Sequence, residues 1–202
     1  MSDTATRASA TRTAIIETAE RLFRTMGYQK TAVADIAREL RMSPANIYRF
    51  FASKSAINEA IAERLLRDLT SHAQRIASGD GPAPDRLTAL FQIMQQQSMA
   101  LFFNEKRMHD MVSAALAENW NVVQRFVDTI DTLLADLVRD GQARGEFDPA
   151  LDPAKAGSLV HATMLGFTHP TMIEQCMRED DLPAMARSMA EFCIRALKAE
   201  NR

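Results

Sequence analysis

TAVADIARELRMSPANIYRFFASK, residues 31–54, decides how the chain reads. Thr31 is placed to N-cap a short helix in which Val33, Ile36, Ala37 and Leu40 recur at intervals of three and four, one face of an α-helix. Asp35 falls near the N-terminal end of that helix, where the dipole favours negative charge. After Arg41 and Met42, Ser43-Pro44 reads as N-cap and first helical position. A serine oxygen accepts a backbone amide there, and proline lacks the N–H that would go unpaired. Met42 and Ile47 are spaced to close a hydrophobic staple. The helix begun at Pro44 runs to about residue 50 and has two unlike sides. Ile47, Phe50 and Phe51 fall on one; Pro44, Ala45, Tyr48 and Arg49 fall on the other, with Asn46 beside them. One side packs and the other is displayed. Two short helices joined by a three-residue turn, the second showing a small and polar face, form a helix-turn-helix whose second helix enters the major groove of B-DNA. Pro44 and Ala45 keep the entrance small, so the backbone can approach the bases.

The stretch resembles the DNA-binding signature of the TetR family of bacterial regulators. Ile47-Tyr-Arg-Phe-Phe-Ala-Ser-Lys54 is similar to the family's LYxxFxSK run, and Gly27-Tyr28 followed by Thr31 matches its exit from the first helix. The resemblance covers residues 12–66 closely and the remainder only in length and helix count. It implies phosphate contacts from Thr31, Ser43, Tyr48 and Lys54, and base or groove contacts from Pro44, Ala45, Asn46 and Arg49. The chemistry suits those roles. Hydroxyls and an ammonium reach phosphate oxygens, while arginine and asparagine make bidentate bonds to guanine and adenine edges. The structural alternatives are a core aromatic for Tyr48 and solvated surface charges for Arg49 and Lys54. Arg41 departs from the pattern, standing where the family usually has a turn glycine. Either the turn differs or a non-glycine residue tolerates left-handed backbone; a phosphate contact from Arg41 is a further option. Ser55 replaces a frequently acidic residue.

Working outward, Ile15, Ile16, Ala19, Leu22, Phe23 and Met26 mark one face of a first helix over 12–26, stopped by Gly27. Residues 1–11, rich in Ser, Thr and Ala, are expected to be a disordered tail, leaving 12–53 as the helix-turn-helix domain and 54–202 as a helical effector-binding and dimerisation domain. Ser53 caps a fourth helix that reaches the Ser78-Gly79-Asp80-Gly81-Pro82 break. Further helices are expected at 84–103, 105–117, 119–144, 153–177 and 182–199, giving an all-α fold of about nine helices. Composition agrees: the 47% hydrophobic share is mostly Ala, Leu, Ile, Val and Met, with seven Gly and seven Pro.

The net charge of −2 argues against a protein that coats nucleic acid non-specifically. Its distribution points elsewhere. Residues 1–60 carry nine basic side chains against six acidic, whereas the rest carries fifteen against twenty, so the N-terminal part suits phosphates. No apolar run approaches the roughly 20 residues that cross a bilayer, and the N-terminus has no secretory pattern, so no membrane contact and a cytoplasmic location are expected. Cys176 and Cys193 have neither metal-ligand spacing nor disulfide density and read as reduced thiols.

For the larger domain the family resemblance implies an effector pocket and a dimer interface built by the last two helices. Phe91, Met94, Met99, Phe102, Phe103, Met108, Met111, Trp120, Val123 and Phe126 cluster in the middle helices. Thioethers and aromatics repack around varied apolar ligands, although such stripes also build ordinary cores. Of these, Phe91, Met94, Phe102, Met108, Met111, Trp120, Val123 and Phe126 are the effector-binding candidates. His109, His161 and His169 can orient a polar group, but their spacing is not that of metal ligands, and no metal or cofactor is expected. GxSxG, P-loop, GxGxxG and HExxH patterns are absent, so the chain does not read as an enzyme. The reading is a homodimeric, ligand-responsive repressor that binds double-stranded operator DNA and a small apolar or amphipathic effector. Its rivals are an activator or effector-independent DNA-binding protein and, further off, an enzyme using the C-terminal pocket.

Overall fold

A computed structural model describes residues 2–102, 120–169, 172–173 and 182–198. All regular structure among the described residues is helical: α1 (Ser2–Met26), α2 (Val33–Glu39), α3 (Pro44–Tyr48), α4 (Lys54–Ala77), α5 (Ala83–Phe102), α6 (Trp120–Ala143), α7 (Pro153–Thr168) and α8 (Leu182–Leu197). The all-α expectation holds. Contacts divide the chain into two compact units, one built on residues 2–66 with 120–123 and the other on 67–102 with 124 onward.

In the first unit, Ile15, Ala19, Leu22 and Phe23 of α1 are buried, as the spacing predicts, together with Val33, Ile36 and Ala37 of α2, Ile47 of α3, Phe51, and Ile57 and Ile61 of α4. Each such side chain contributes on the order of 1.5–3 kcal/mol by leaving water. Gly27 ends α1 with φ +93°, a left-handed stop that suits glycine. Tyr28 then turns inward, edge-to-face with Phe23 at 5.1 Å. The first turns of α4 belong to this unit. Arg64 of α4 pairs with Glu20 of α1, which also takes Arg24 at 2.7 Å.

Two local expectations need correction. Residues 2–11 are helix rather than a disordered tail. The Thr11 hydroxyl donates back to the Arg7 carbonyl within the helix, and extending a packed helix needs no new nucleus. The N-cap of α2 is Ala32, not Thr31. Asp35 closes that end instead, its carboxylate accepting the Ala32 N–H at 2.9 Å.

In the second unit α5 packs against both α7 and α8. Leu87, Leu90, Phe91 and Met94 of α5 join Leu134, Leu137 and Val138 of α6, Val160, Met164 and Phe167 of α7, and Leu182, Ala186 and Ala190 of α8 in one core. At Gly157 the backbones of α7 and α6 come so close that an added Cβ would lie 2.6 Å from the Ala135 nitrogen. Asp152 caps α7, its Oδ1 accepting the Ala154 N–H at 2.9 Å, and Pro153 follows at the first position as expected. That helix ends at Thr168, well short of 177, because His169 precedes a proline and is extended, with ψ 124°. The N-terminus of α5 is closed from far along the chain: the Glu146 carboxylate accepts the Ala83 N–H at 2.7 Å. Nearby, Arg86 donates to the Ala77 carbonyl and pairs with Asp140. The helix expected over 105–117 lies outside the described residues.

Candidate nucleic-acid interface

Both ends of α3 are fixed by specific bonds. Ser43 is its N-cap, with Oγ accepting the Asn46 N–H at 3.2 Å and Pro44 next in line, as the sequence predicts. A hydroxyl that accepts in this way keeps its own proton, and Ser43 is exposed, so that proton is free to be donated outward. At the other end α3 closes at Tyr48, two residues early. The N–H groups of Phe50 and Phe51 both return to the Ile47 carbonyl, at 2.9 and 3.1 Å. Arg12 of α1 completes this end: Nη1 donates to the Phe50 carbonyl at 3.1 Å, and its guanidinium lies 4.1 Å above the Phe51 ring. Sequence reasoning missed Arg12, since no local pattern ties together two residues 38 positions apart.

The turn before α3 keeps the left-handed geometry that glycine would favour. Arg41 has φ +54° and is the non-glycine residue with positive φ among the described residues. Its N–H donates to the Arg38 carbonyl at 3.1 Å and the Met42 N–H to the Ala37 carbonyl at 2.8 Å. That pair of bonds is a Schellman closure of α2. Of the two options left by the sequence, tolerated strain is the one observed, at about 1–2 kcal/mol for a Cβ in this region.

The expected contact residues separate into two groups. Ser43, Pro44, Ala45, Tyr48 and Arg49 are exposed and Asn46 is half-exposed, all along one side and the N-terminal end of α3. Tyr48 is 52% exposed, which rules out the core-aromatic alternative. Thr31 and Lys54 are committed inward. Thr31 is only 1% exposed and its hydroxyl donates to the Gly27 carbonyl at 2.9 Å, so a phosphate contact from that hydroxyl does not fit this arrangement. The Lys54 ammonium donates to the carbonyls of Tyr28 (2.9 Å) and Thr31 (3.2 Å) and lies 4.3 Å over the Tyr28 ring. It staples the start of α4 to the α1–α2 connection and keeps one N–H in hand. Asp35, beneath the turn, has its carboxyl held below the usual range by the Ala32 N–H and then by Arg38 at 2.5 Å.

The effector candidates scatter. Phe91 and Met94 are sealed in the core, Phe91 edge-to-face with Phe167 at 6.3 Å. Phe126 packs partly buried against the same core, and Val123, half-buried, belongs to the first unit. Met108 and Met111 lie outside the described residues; Phe102 and Trp120 are described only as the last residue of α5 and the first of α6. Of the histidines, His161 is buried with Nδ1 2.6 Å from Asp131 Oδ1, His169 ends α7, and His109 lies outside the described residues. The described residues contain no cluster able to hold a metal ion and no helix long and apolar enough to cross a membrane. Cys193 is buried and its thiol is pushed up by desolvation; Cys176 lies outside the described residues. An apolar groove of about 430 Å³ between α7 and α8 is bounded by Leu159, Thr163, Phe192 and Cys193, with Phe192 64% exposed.

Comparison with known proteins agrees with the geometry of α2 and α3. The family model for bacterial regulatory proteins of the tetR family matches residues 15–61, and that for the tetracyclin repressor-like C-terminal domain matches residues 83–187. The chain belongs to the TetR family. As a TetR-family protein it is a DNA-binding transcriptional regulator, and its α2–α3 pair is the family's helix-turn-helix. Among curated relatives, the HTH-type transcriptional regulator UidR of Escherichia coli is 24% identical over 94% of this chain and 95% of its own. The transcriptional repressor KstR2 of Mycolicibacterium smegmatis is 26% identical over 74% of each. Among solved structures, a TetR-family regulator from Pectobacterium atrosepticum superposes with a TM-score of 0.75 at 17% identity, covering 98% of both chains. SmeT, repressor of a Stenotrophomonas maltophilia efflux pump, gives 0.69 at 21% identity over 96% and 93%.

Proposed function

We propose that the chain is a homodimeric repressor that leaves its operator when a small apolar or amphipathic effector binds the second unit. The observation that carries the DNA half is the displayed side of α3: Tyr48 and Arg49 stand in solvent while both ends of their helix are fixed by Ser43 and Arg12. A pre-ordered face of this kind loses little freedom on binding, and Arg49 and Asn46 are the side chains equipped to read guanine and adenine edges. Tyr48 and Ser43 supply hydroxyls to phosphate, and Lys54 adds charge from behind.

The dimer half rests on the apolar face of α7 and α8. Leu159, Leu165, Met185 and Phe192 are all exposed, an arrangement that water disfavours and that a second copy would cover by symmetric four-helix packing. The effector half is supported by kinship: the relative SmeT has been solved with triclosan. Release follows from population shift, the effector favouring a dimer whose recognition helices no longer match successive major grooves roughly 34 Å apart. Operator DNA must then weaken effector binding by the same factor. The site of action is the cytoplasm, and no enzymatic step is involved.

The test is binding of the purified chain to labelled fragments of its own upstream region at two salt concentrations, with Tyr48→Ala and Arg49→Ala in parallel. Selective, salt-sensitive binding that both variants lose is the expected result. Equal binding to every fragment at low salt would overturn the reading.

A further inference from the structure

The recognition helix is too short to hold its own shape. It has five residues, and a helix of little more than one turn is unstable in water without support from outside it. Its N-terminal half has two anchors, the Ser43 cap and the fully buried Ile47. Beyond Ile47 the chain displays Tyr48 and Arg49 to solvent and then turns inward at Phe51, which is 3% exposed. Arg49 is the C-cap, and its N–H reaches the Asn46 carbonyl at 3.3 Å, a long and therefore weak backbone bond. The next two N–H groups share one acceptor, the Ile47 carbonyl. The direction in which Arg49 leaves the backbone thus depends on where residues 50 and 51 are held. Arg12 holds both. One guanidinium engages two consecutive residues in two ways, by a charge-assisted hydrogen bond to the Phe50 carbonyl and a cation–π contact with the Phe51 ring. It does so from α1, a helix anchored by the buried Ile15, Ala19 and Phe23, so the hold is made from a packed helix and not from another loop.

We propose that Arg12 is a positioning residue for base reading: acting through Phe50 and Phe51, it fixes the angle at which Tyr48 and Arg49 meet the groove, and so sets operator selectivity without touching DNA. This rests on the DNA-reading role of α3 given above and deepens it. The alternative for an exposed guanidinium is a phosphate contact of its own. The two roles differ in what their loss leaves behind. Losing a phosphate contact weakens binding to every sequence and makes the salt dependence shallower, by about 0.9 in log–log slope. Losing a positioning contact weakens the operator alone, since the groups that meet phosphate are still present. Lysine separates charge from shape. Its compact ammonium keeps the charge but lacks the planar fork with which arginine lies on the Phe51 ring while bonding the Phe50 carbonyl.

The experiment titrates the full chain, Arg12→Ala and Arg12→Lys with two duplexes of equal length, the upstream fragment that the parent selects and an unrelated sequence, each over a range of salt. Operator affinity should fall roughly tenfold in Arg12→Ala and nearly as far in Arg12→Lys. Both variants should bind the unrelated duplex as the parent does, and the salt slope of Arg12→Ala on the operator should stay that of the parent. An equal loss on both duplexes with a shallower slope makes Arg12 a phosphate contact and overturns the proposal. Full recovery by lysine overturns it too, because charge alone then suffices, as does an unchanged operator affinity in Arg12→Ala. Partial unfolding, read from the melting midpoint, would depress both duplexes together at an unchanged slope and would reduce Arg12 to a stabilising contact, against the proposal. A parent that selects no fragment overturns the DNA-reading role of α3 itself, and this role with it.

Discussion

The two units solve the problem of helix ends in different ways. In the first, most of the ends described are closed by neighbours in sequence, Ser43 by Asn46, Ala32 by Asp35, and Ala37 and Arg38 by the turn that follows them, with Arg12 reaching across from α1 at the end of α3. In the second, α5 is closed by Glu146, and Arg86 gathers the end of α4 and a carboxylate of α6. What each unit is built to hold follows the same division. The displayed side of α3 is written in consecutive residues, whereas the interior of the second unit is assembled from α5, α6, α7 and α8 together. A short, locally closed motif can present a fixed surface with little supporting structure; a packed interior cannot, because its walls are other helices.

The comparison breaks first, if it breaks, at the closest approach in the second unit. Gly157→Ala places a Cβ 2.6 Å from the Ala135 nitrogen, backbone that cannot move aside, so the midpoint should fall by roughly 5–10 °C for an overpacking cost of about 2–3 kcal/mol. A shift within one degree or so would show that α6 and α7 are not tightly docked. In the first unit, Arg49→Ala should lower operator affinity about 10–100-fold and leave melting unchanged, a separation of surface from support that titration and calorimetry read side by side. Lys54→Met should instead lose on both counts, with about 1.5 kcal/mol of stability gone because two carbonyls lose a charged donor. Arg41→Gly should stabilise by about 1 kcal/mol in urea, since glycine removes the Cβ penalty at φ +54°. The smallest effect is with acid. Asp35 and Asp140 have folded values below the ordinary 3.8, held there by the Ala32 N–H and by Arg86 respectively. Their contribution is complete above the unfolded value and is lost as pH falls through the folded one. Stability against urea should therefore decline below about pH 4, more shallowly in Asp35→Asn.

How much could be read from residues alone follows the same line. Ser43-Pro44, Gly27 and Asp152-Pro153 punctuate the chain where the helices stop and start, because caps act within four residues of themselves. The displayed face of α3 was legible because helical periodicity separates Ile47 from Tyr48 and Arg49. Thr31 and Lys54 show the limit. Both suit phosphate by chemistry, yet which way a hydroxyl or an ammonium turns depends on carbonyls that folding brings near, those of Gly27, Tyr28 and Thr31. Arg12 and Glu146 were beyond local reasoning for the same cause, as each acts on a residue dozens of positions away. In the second unit Phe91 and Met94 satisfied a pattern shared by cores and pockets, and folding seals both in the core.

The carboxylate that closes α5 also sets a timetable. Ala83 and Glu146 are 63 positions apart, so a growing chain leaves the start of α5 uncapped until that much more has been made. At 5–20 residues per second the delay is about 3–13 s, long compared with the microseconds in which helices form. The DNA-reading unit, whose turn and caps are complete by residue 54, can therefore be ordered on the ribosome while the second unit is still waiting for its last helices. A nascent chain would display its recognition surface before its second unit had closed.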